Sequence, residues 1–108
     1  MNVLWLDRAE ADLRAILDYL IERDPGAAVR IHQIIRDRVG PLADYPALGR
    51  PGRVADTRDL VIPRTPYLVV YAVDRGLDAV VILRALHSAR LWPDQSGTVI
   101  AAGRLQVP

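Results

Sequence analysis

The sequence predicts an α+β fold in which an antiparallel sheet packs on an N-terminal helical hairpin. Apolar residues recur at helical spacing through roughly the first 40 residues, whereas β-branched and aromatic residues dominate residues 58–87. The turns that separate the segments of this second half are short, and short connections join antiparallel neighbours. We therefore expect the order β-α-α-β-β-β, in one domain that spans residues 1–93.

The helical half is predicted from its capping residues as well as from its apolar spacing. A first strand is expected at Asn2–Leu6, and the first helix from about residue 8 to residue 23. Asp7 and Glu10 form a variant of the capping box at its start. Asp24–Pro25 then suits the cap and first position of a second helix. Because the link is so short, the two helices must lie side by side as an antiparallel hairpin.

The sheet half contains three predicted strands, at Arg58–Pro63, Tyr67–Val73 and Asp78–His87. The last of these is apolar at nearly every position, so it is expected to be central and covered on both faces. The preceding segment, residues 47–57, is rich in glycine and proline and is interpreted as a loop. Residues 94–108 form a C-terminal tail without a clear period, either an edge strand at TVIAA or a loose end.

Composition excludes several classes of protein and of site. The chain has no cysteine, so disulfides and thiolate metal sites are excluded. Charged residues begin at Asp7 and the apolar runs are strand-sized, which predicts a cytoplasmic protein that does not span a membrane. No phosphate-binding glycine loop is present, and His32 has no second histidine at ligand spacing. We expect neither a metal nor another cofactor.

His87, at the end of the last strand, is the first candidate for chemistry. It lies three residues from an arginine on each side, Arg84 and Arg90. A histidine there could act as a general acid or base, with arginines stabilising phosphoryl charge. The alternative is a strand-end histidine that is hydrogen-bonded to backbone. Strict alternation along the strand places Arg84 and His87 on opposite faces, which does not favour a simple catalytic pair.

All 14 basic residues are arginine, although the net charge is only +1. Arginine binds phosphate and carboxylate in bidentate geometry, so an arginine-rich segment predicts contacts with phosphates or with an acidic partner. A solvated basic loop is the alternative. Tyr67 and Tyr71 share one strand face and could stack on bases, or could belong to the core. The four clustered arginines are Arg50, Arg53, Arg58 and Arg64.

Three motifs together resemble the RelE/ParE superfamily of toxins. They are the GRPG turn, the R-D-L-V-I-P-x-T-P-Y strand pair, and the L-x-x-L-H-x-A-R-x-W-P ending, and the resemblance covers about residues 1–93. It implies the fold described above and the toxin of a type II toxin–antitoxin module. The implied partner is a small antitoxin, often a DNA-binding protein, whose C-terminal segment wraps the toxin and folds on binding.

The superfamily implies two alternative activities. RelE-like members cut mRNA on the ribosome, and the resemblance then implies catalytic roles for His87, Arg84 and Arg58. ParE-like members inhibit DNA gyrase without nuclease residues and are associated with plasmid stabilization. In either case the other candidates, Arg50, Arg53, Arg64, Arg90 and Tyr71, would contact the target.

Departures from the nuclease pattern favour the ParE-like activity. Ser88 stands where YoeB-like nucleases carry a tyrosine after the histidine, and Leu68 stands where they carry an arginine. The chain also has no lysine, whereas RelE-like nucleases use a lysine cluster. The RelE/YoeB-like, ribosome-dependent endoribonuclease stays as the alternative, because arginine can replace lysine as a phosphate clamp.

Overall fold

The computed structural model describes residues 1–89 and, beyond them, two short strands. Two helices pack on a five-stranded sheet of order β1-β5-β4-β3-β2, which confirms the α+β class. The elements are β1 (Asn2–Trp5), α1 (Asp7–Arg23), α2 (Pro25–Val39), a 3₁₀ turn (Gly40–Ala43), β2 (Arg50–Pro51), β3 (Arg58–Val61), β4 (Tyr67–Asp74), β5 (Ala79–His87), β6 (Ile100–Ala101) and β7 (Arg104–Leu105). In the tail, β6 pairs with β7 as a separate two-stranded ladder.

The helical hairpin forms as predicted, but its two N-termini are capped differently. The side chain of Asp24 accepts a hydrogen bond from the Ala27 backbone N–H at 3.1 Å, and Pro25 occupies the first turn of α2. At α1 the predicted capping box is wrong, because the N-cap residue is Leu6 and no side chain caps the helix. Asp7 lies within the first turn, where a carboxylate stabilises the positive end of the helix dipole.

The sheet is mixed, so the prediction of an antiparallel sheet is wrong at one edge. β1 pairs with β5 in parallel, with Val3 opposite Val80. The rule that short links join antiparallel neighbours applied to β3, β4 and β5, which are indeed antiparallel. It did not apply to β1, since the whole helical hairpin and three other strands lie between β1 and β5 in the chain.

A second difference lies in the segment interpreted as a loop. Its Arg50 and Pro51 form β2, a two-residue edge strand opposite Asp59 and Arg58 of β3. Proline lacks a backbone N–H and is therefore confined to edge strands, which is the position that Pro51 occupies. β2 is so short that it covers only the first half of β3.

β5 is buried at every position but its last, as predicted for an interior strand. The expected alternation of its side chains holds only as far as Leu83. The register shifts there, because Tyr71 of β4 faces Ile82 while its neighbour Val70 faces Arg84. Leu83 and Leu86 consequently belong to the same apolar cluster although they are three residues apart. Strict alternation would place these two leucines on opposite faces, and the β-bulge at Leu83 brings them to the same face.

Two apolar clusters flank the sheet. The larger contains residues of both helices and of β4 and β5, including Leu13, Ile35 and Ile82. The smaller is built from strand residues such as Val81 and Leu83. Within residues 1–89 and the two tail strands, no helix is long and apolar enough to cross a membrane. The same residues contain no group of side chains that could hold a metal ion.

Candidate functional site

His87 lies on the surface at the end of β5, directly opposite Tyr67 of β4. The two rings meet edge to face, with centroids 5.8 Å apart. The Nδ1 atom of His87 accepts a hydrogen bond from the Ala89 backbone N–H at 3.1 Å, so a neutral ring carries its proton on Nε2. Burial raises the pKa of the Tyr67 hydroxyl, and Tyr19 adds to that rise. His87 therefore presents an N–H donor beside two tyrosines.

An open cavity of about 480 Å³ separates this end of β5 from α1. Its lining includes Ile16 and Tyr19 from the helix, and Tyr67, Leu86 and His87 from the sheet. The walls are thus mainly apolar and aromatic. The described lining includes Asp12 and no arginine, so the cavity lacks the guanidinium groups that would bind a phosphate.

Arg84 does not share this cavity with His87. Its side chain is fully buried and is paired with Asp12 of α1, with 2.7 Å between Nε and Oδ2 and 3.2 Å between Nη2 and Oδ1. The same carboxylate accepts a hydrogen bond from the Ala85 backbone N–H. Asp12 thereby connects α1 to β5 beyond the end of β1. This placement does not favour a catalytic role for Arg84, because a phosphate could reach it only if the pair broke.

Tyr71 and Arg58 both bind the loop that precedes β2. The Tyr71 hydroxyl accepts a hydrogen bond from the Gly49 N–H at 2.8 Å and donates one to the Pro46 carbonyl at 2.7 Å. Nη1 of Arg58 donates to the Gly49 carbonyl at 2.7 Å. Burial raises the pKa of the Tyr71 hydroxyl, although the Gly49 hydrogen bond and the Arg58 charge act in the opposite direction. The side chain of Tyr71 is fully buried, which favours the alternative that this residue belongs to the core.

The three residues proposed for a nuclease are therefore not brought together. In the ladder with β4, His87 lies opposite Tyr67, while Arg58 lies opposite Tyr71. Four residues of β-strand span about 13 Å, which separates the backbones of His87 and Arg58 by at least that distance along the sheet. Arg84 lies between them in the chain but is held by Asp12.

Arg50 and Arg53 are exposed beside β2 and lie close to Asp59 of β3. Burial raises the pKa of the Asp59 carboxyl, and the two arginines act in the opposite direction. Its Oδ1 atom is buried and accepts no hydrogen bond from the described residues. Two of the predicted arginines thus form a basic surface around one partly buried carboxylate.

Arg64 lies apart from that surface, in the turn between β3 and β4. The backbone φ of Arg64 is 63°, an uncommon value for a residue other than glycine. Thr65 fixes the turn, because its hydroxyl donates to the Ile62 carbonyl and accepts from the Tyr67 N–H. Arg64 instead faces a second cavity, which it lines together with Arg38 of α2. The arginines predicted as one patch therefore lie in two places, and Arg90 lies outside the described residues.

Comparison with known proteins identifies the family. The family model for the ParE toxin of the type II toxin–antitoxin system parDE matches residues 3–92. The chain belongs to the ParE toxin family. A relative named toxin Y4kP, from Sinorhizobium fredii, is 40% identical over 85% of this chain and 93% of its own length. A protein named toxin RelE2, from Caulobacter vibrioides, is 43% identical over 83% of this chain and 98% of its own length.

Solved structures of the same superfamily share the toxin's fold. A chain of the chromosomal ParDE system from P. aeruginosa superposes with a TM-score of 0.72 at 31% identity, over 81% of this toxin and 95% of that chain. A chain of the RelBE2 toxin–antitoxin complex from Mycobacterium tuberculosis gives a TM-score of 0.51 at 25% identity, over 80% and 95% of the two chains. The toxin is thus similar both to proteins named ParE and to proteins named RelE.

Several residues of the toxin's surface and core were not found from the sequence. Asp12 and Asp59 do not belong to a recognisable sequence motif. Their roles depend on contacts between distant segments, of Asp12 with β5 and of Asp59 with β2. Tyr19 and Arg38 lie on the helices, where their spacing is typical of ordinary exposed positions. A signal was available only for Asp12, because a buried arginine in an apolar strand requires a carboxylate from another element.

Proposed function

We propose that this toxin acts by binding, as a ParE-like inhibitor of DNA gyrase, and that a cognate antitoxin neutralises it. The observation that supports binding over RNA cleavage is the separation of His87, Arg84 and Arg58. Ribonuclease chemistry needs a base and phosphate-binding groups within reach of one scissile phosphate. Here the histidine lies by an aromatic cavity, one arginine is buried against Asp12, and the other binds the Gly49 carbonyl.

The proposed target surface is the exposed pair Arg50 and Arg53. Both lie at the outer edge of the sheet, where β2 is only two residues long. Guanidinium groups in that position can bind the carboxylates of a protein partner or the phosphates of DNA held by the enzyme. Arg90 is kept as a further candidate for contact with the target, whereas Arg64 lines a separate cavity with Arg38.

The antitoxin is proposed because relatives of this fold are found in toxin–antitoxin pairs. The ParDE system and the RelBE2 complex are both described as such pairs. A toxin that arrests growth must be held inactive in the cell that makes it, which a bound antitoxin accomplishes.

The decisive experiment measures gyrase and mRNA side by side. Purified toxin should inhibit supercoiling by gyrase, and Arg50→Ala with Arg53→Ala should weaken inhibition by at least about tenfold, the loss of two charged contacts. Arg75→Ala, in the exposed turn between β4 and β5, is the matched control and should have little effect. His87→Gln should leave inhibition unchanged.

The RelE-like alternative predicts a different result. Primer extension on translated message would then reveal new 5′ ends that His87→Gln abolishes. That pattern, together with full gyrase activity at saturating toxin, would exclude the gyrase proposal and support ribosome-dependent cleavage.

A further inference from the structure

A groove of about 560 Å³ runs between the end of α2 and the outer edge of the sheet. Its floor is apolar and its rim carries two arginines and one aspartate. The lining residues are Ile34, Asp37, Arg38, Pro41, Leu48, Leu60, Val61, Pro63 and Arg64. The groove shares no residue with the His87 cavity or with the Arg50 and Arg53 surface.

Two large apolar side chains of this groove are exposed. Leu48 is 56% exposed and Val61 is 50% exposed. Leu48 precedes β2, and Val61 ends β3, so the two belong to neighbouring segments of one surface. Contiguous apolar surface of this kind marks an interaction site more often than single exposed residues do.

The sheet edge beside Val61 is not paired with another strand among the described residues. The Ile62 N–H donates to the Tyr67 carbonyl of β4. Because backbone groups alternate in direction along a strand, the N–H and C=O of Val61 point the other way, to the outer edge. β2 lies opposite Arg58 and Asp59 only. An extended chain that lies in the groove can therefore pair with Val61.

The charges on the rim favour an acidic occupant. Asp37 already accepts a hydrogen bond from Gln33 at 2.8 Å. Arg38 and Arg64 form no ion pair with any carboxylate among residues 1–89. The hydrogen bond from the Thr65 hydroxyl to the Ile62 carbonyl closes the turn that carries Arg64, so the backbone of Arg64 is ordered beside the groove before any partner arrives. An ordered turn loses less backbone entropy on binding than a disordered one.

We propose that the antitoxin docks in this groove through an extended segment that carries apolar side chains between two acidic residues. The apolar side chains cover Leu48 and Val61, and the carboxylates bind Arg38 and Arg64. Nucleic acid fits less well, because the floor between the arginines is apolar. This inference rests on the proposed function, in which an antitoxin is the toxin's partner.

The test measures the affinity of the purified cognate antitoxin for full-length toxin variants. The double variant Val61→Glu/Arg64→Glu should raise the antitoxin Kd by at least about 100-fold, the effect expected when an apolar anchor and a charge pair are lost together. The matched control, Leu77→Glu/Arg75→Glu, changes an exposed leucine and an exposed arginine in the turn between β4 and β5. Its Kd should stay within about threefold of wild type.

Hydrogen exchange of the wild-type toxin gives a second measurement that does not depend on a variant folding. Antitoxin should slow exchange in peptides that cover residues 58–66 and leave residues 74–78 unchanged. Two results would overturn the proposal that the antitoxin docks in the groove. They are unchanged hydrogen exchange at residues 58–66 and a double variant that binds antitoxin like wild type. The proposal would also be overturned if wild-type toxin formed a dimer and the double variant did not. The occupant of the groove would then be a second copy of the toxin. Absence of any antitoxin binding to wild-type toxin would instead refute the proposed function itself.

Discussion

The carboxylate of Asp12 accepts hydrogen bonds from the Arg84 side chain and from the Ala85 backbone. Asp12→Ala removes this carboxylate from a fully buried guanidinium. Breaking such a pair costs about 3–5 kcal/mol, because the remaining charge stays buried. We expect a loss near the lower end of that range in urea denaturation, since Arg84 has a further contact.

Arg8 provides the control for this prediction. It lies 3.6 Å from Asp12, but its side chain is 39% exposed. Arg8→Ala should therefore cost less than about 1 kcal/mol. The double variant Asp12→Leu/Arg84→Met should recover most of the loss, because an apolar pair needs no charge compensation. If Asp12→Ala were as mild as Arg8→Ala, the buried pair would contribute little to stability.

The raised pKa of the Asp59 carboxyl predicts that the stability of the folded protein depends on pH. Its carboxyl pKa is raised mainly by burial, so the charged form is less stable in the folded than in the unfolded protein. The protein consequently loses stability as the pH rises from the ordinary value of 3.8 through the raised value. Asp59→Asn removes that charge, and its free energy of unfolding at pH 7 should exceed that of wild type by less than about 1 kcal/mol, because the group is partly solvated.

Urea denaturation from pH 3 to pH 7 measures this difference. The stabilisation by Asp59→Asn should decline as the pH falls and vanish below the ordinary carboxyl pKa, where Asp59 is protonated in both states. Lower stability of Asp59→Asn at pH 7 would contradict the prediction. Attraction from Arg50 and Arg53 would then outweigh the cost of burial.

At the scale of elements, local signals predicted most of the fold. Asp24–Pro25 is a cap and a first-turn residue in adjacent positions, and this pattern located the start of α2. The apolar run of β5 predicted an interior strand, because few polar residues can be accommodated there. These signals act within a few residues of each other, so they can be read from one segment of sequence.

The elements that were missed depend on contacts between distant segments. Nothing within β1 specifies parallel pairing with β5, which comes 70 or more residues later in the chain. The bulge at Leu83 is likewise decided by the register of β4 against β5. Because it follows an apolar run without glycine or proline, no local signal marks it. The placement of Arg84 and His87 by strand alternation is not affected by the bulge, because the pairing of β5 with β4 is regular from Arg84 to His87.

At the scale of the whole molecule, the toxin's proposed surfaces lie at opposite ends of β3. Arg58 pairs with β2 beside Arg50 and Arg53, whereas Val61 lies in the groove. The three residue steps from Arg58 to Val61 span about 10 Å. Residues this far apart, without shared partners, contribute to binding nearly independently. Target binding and antitoxin binding should therefore respond to different substitutions.

Combining substitutions tests this independence. Arg53→Glu should weaken gyrase inhibition by at least about tenfold and leave the antitoxin Kd within about threefold, while Val61→Glu should do the reverse. In the double variant each effect should equal that of the single variant to within about 0.5 kcal/mol, measured by supercoiling assays and by titration. A single substitution that weakened both interactions equally would mean that gyrase and antitoxin compete for one surface. Independent effects would mean that the antitoxin blocks the target from a groove that the target itself does not use.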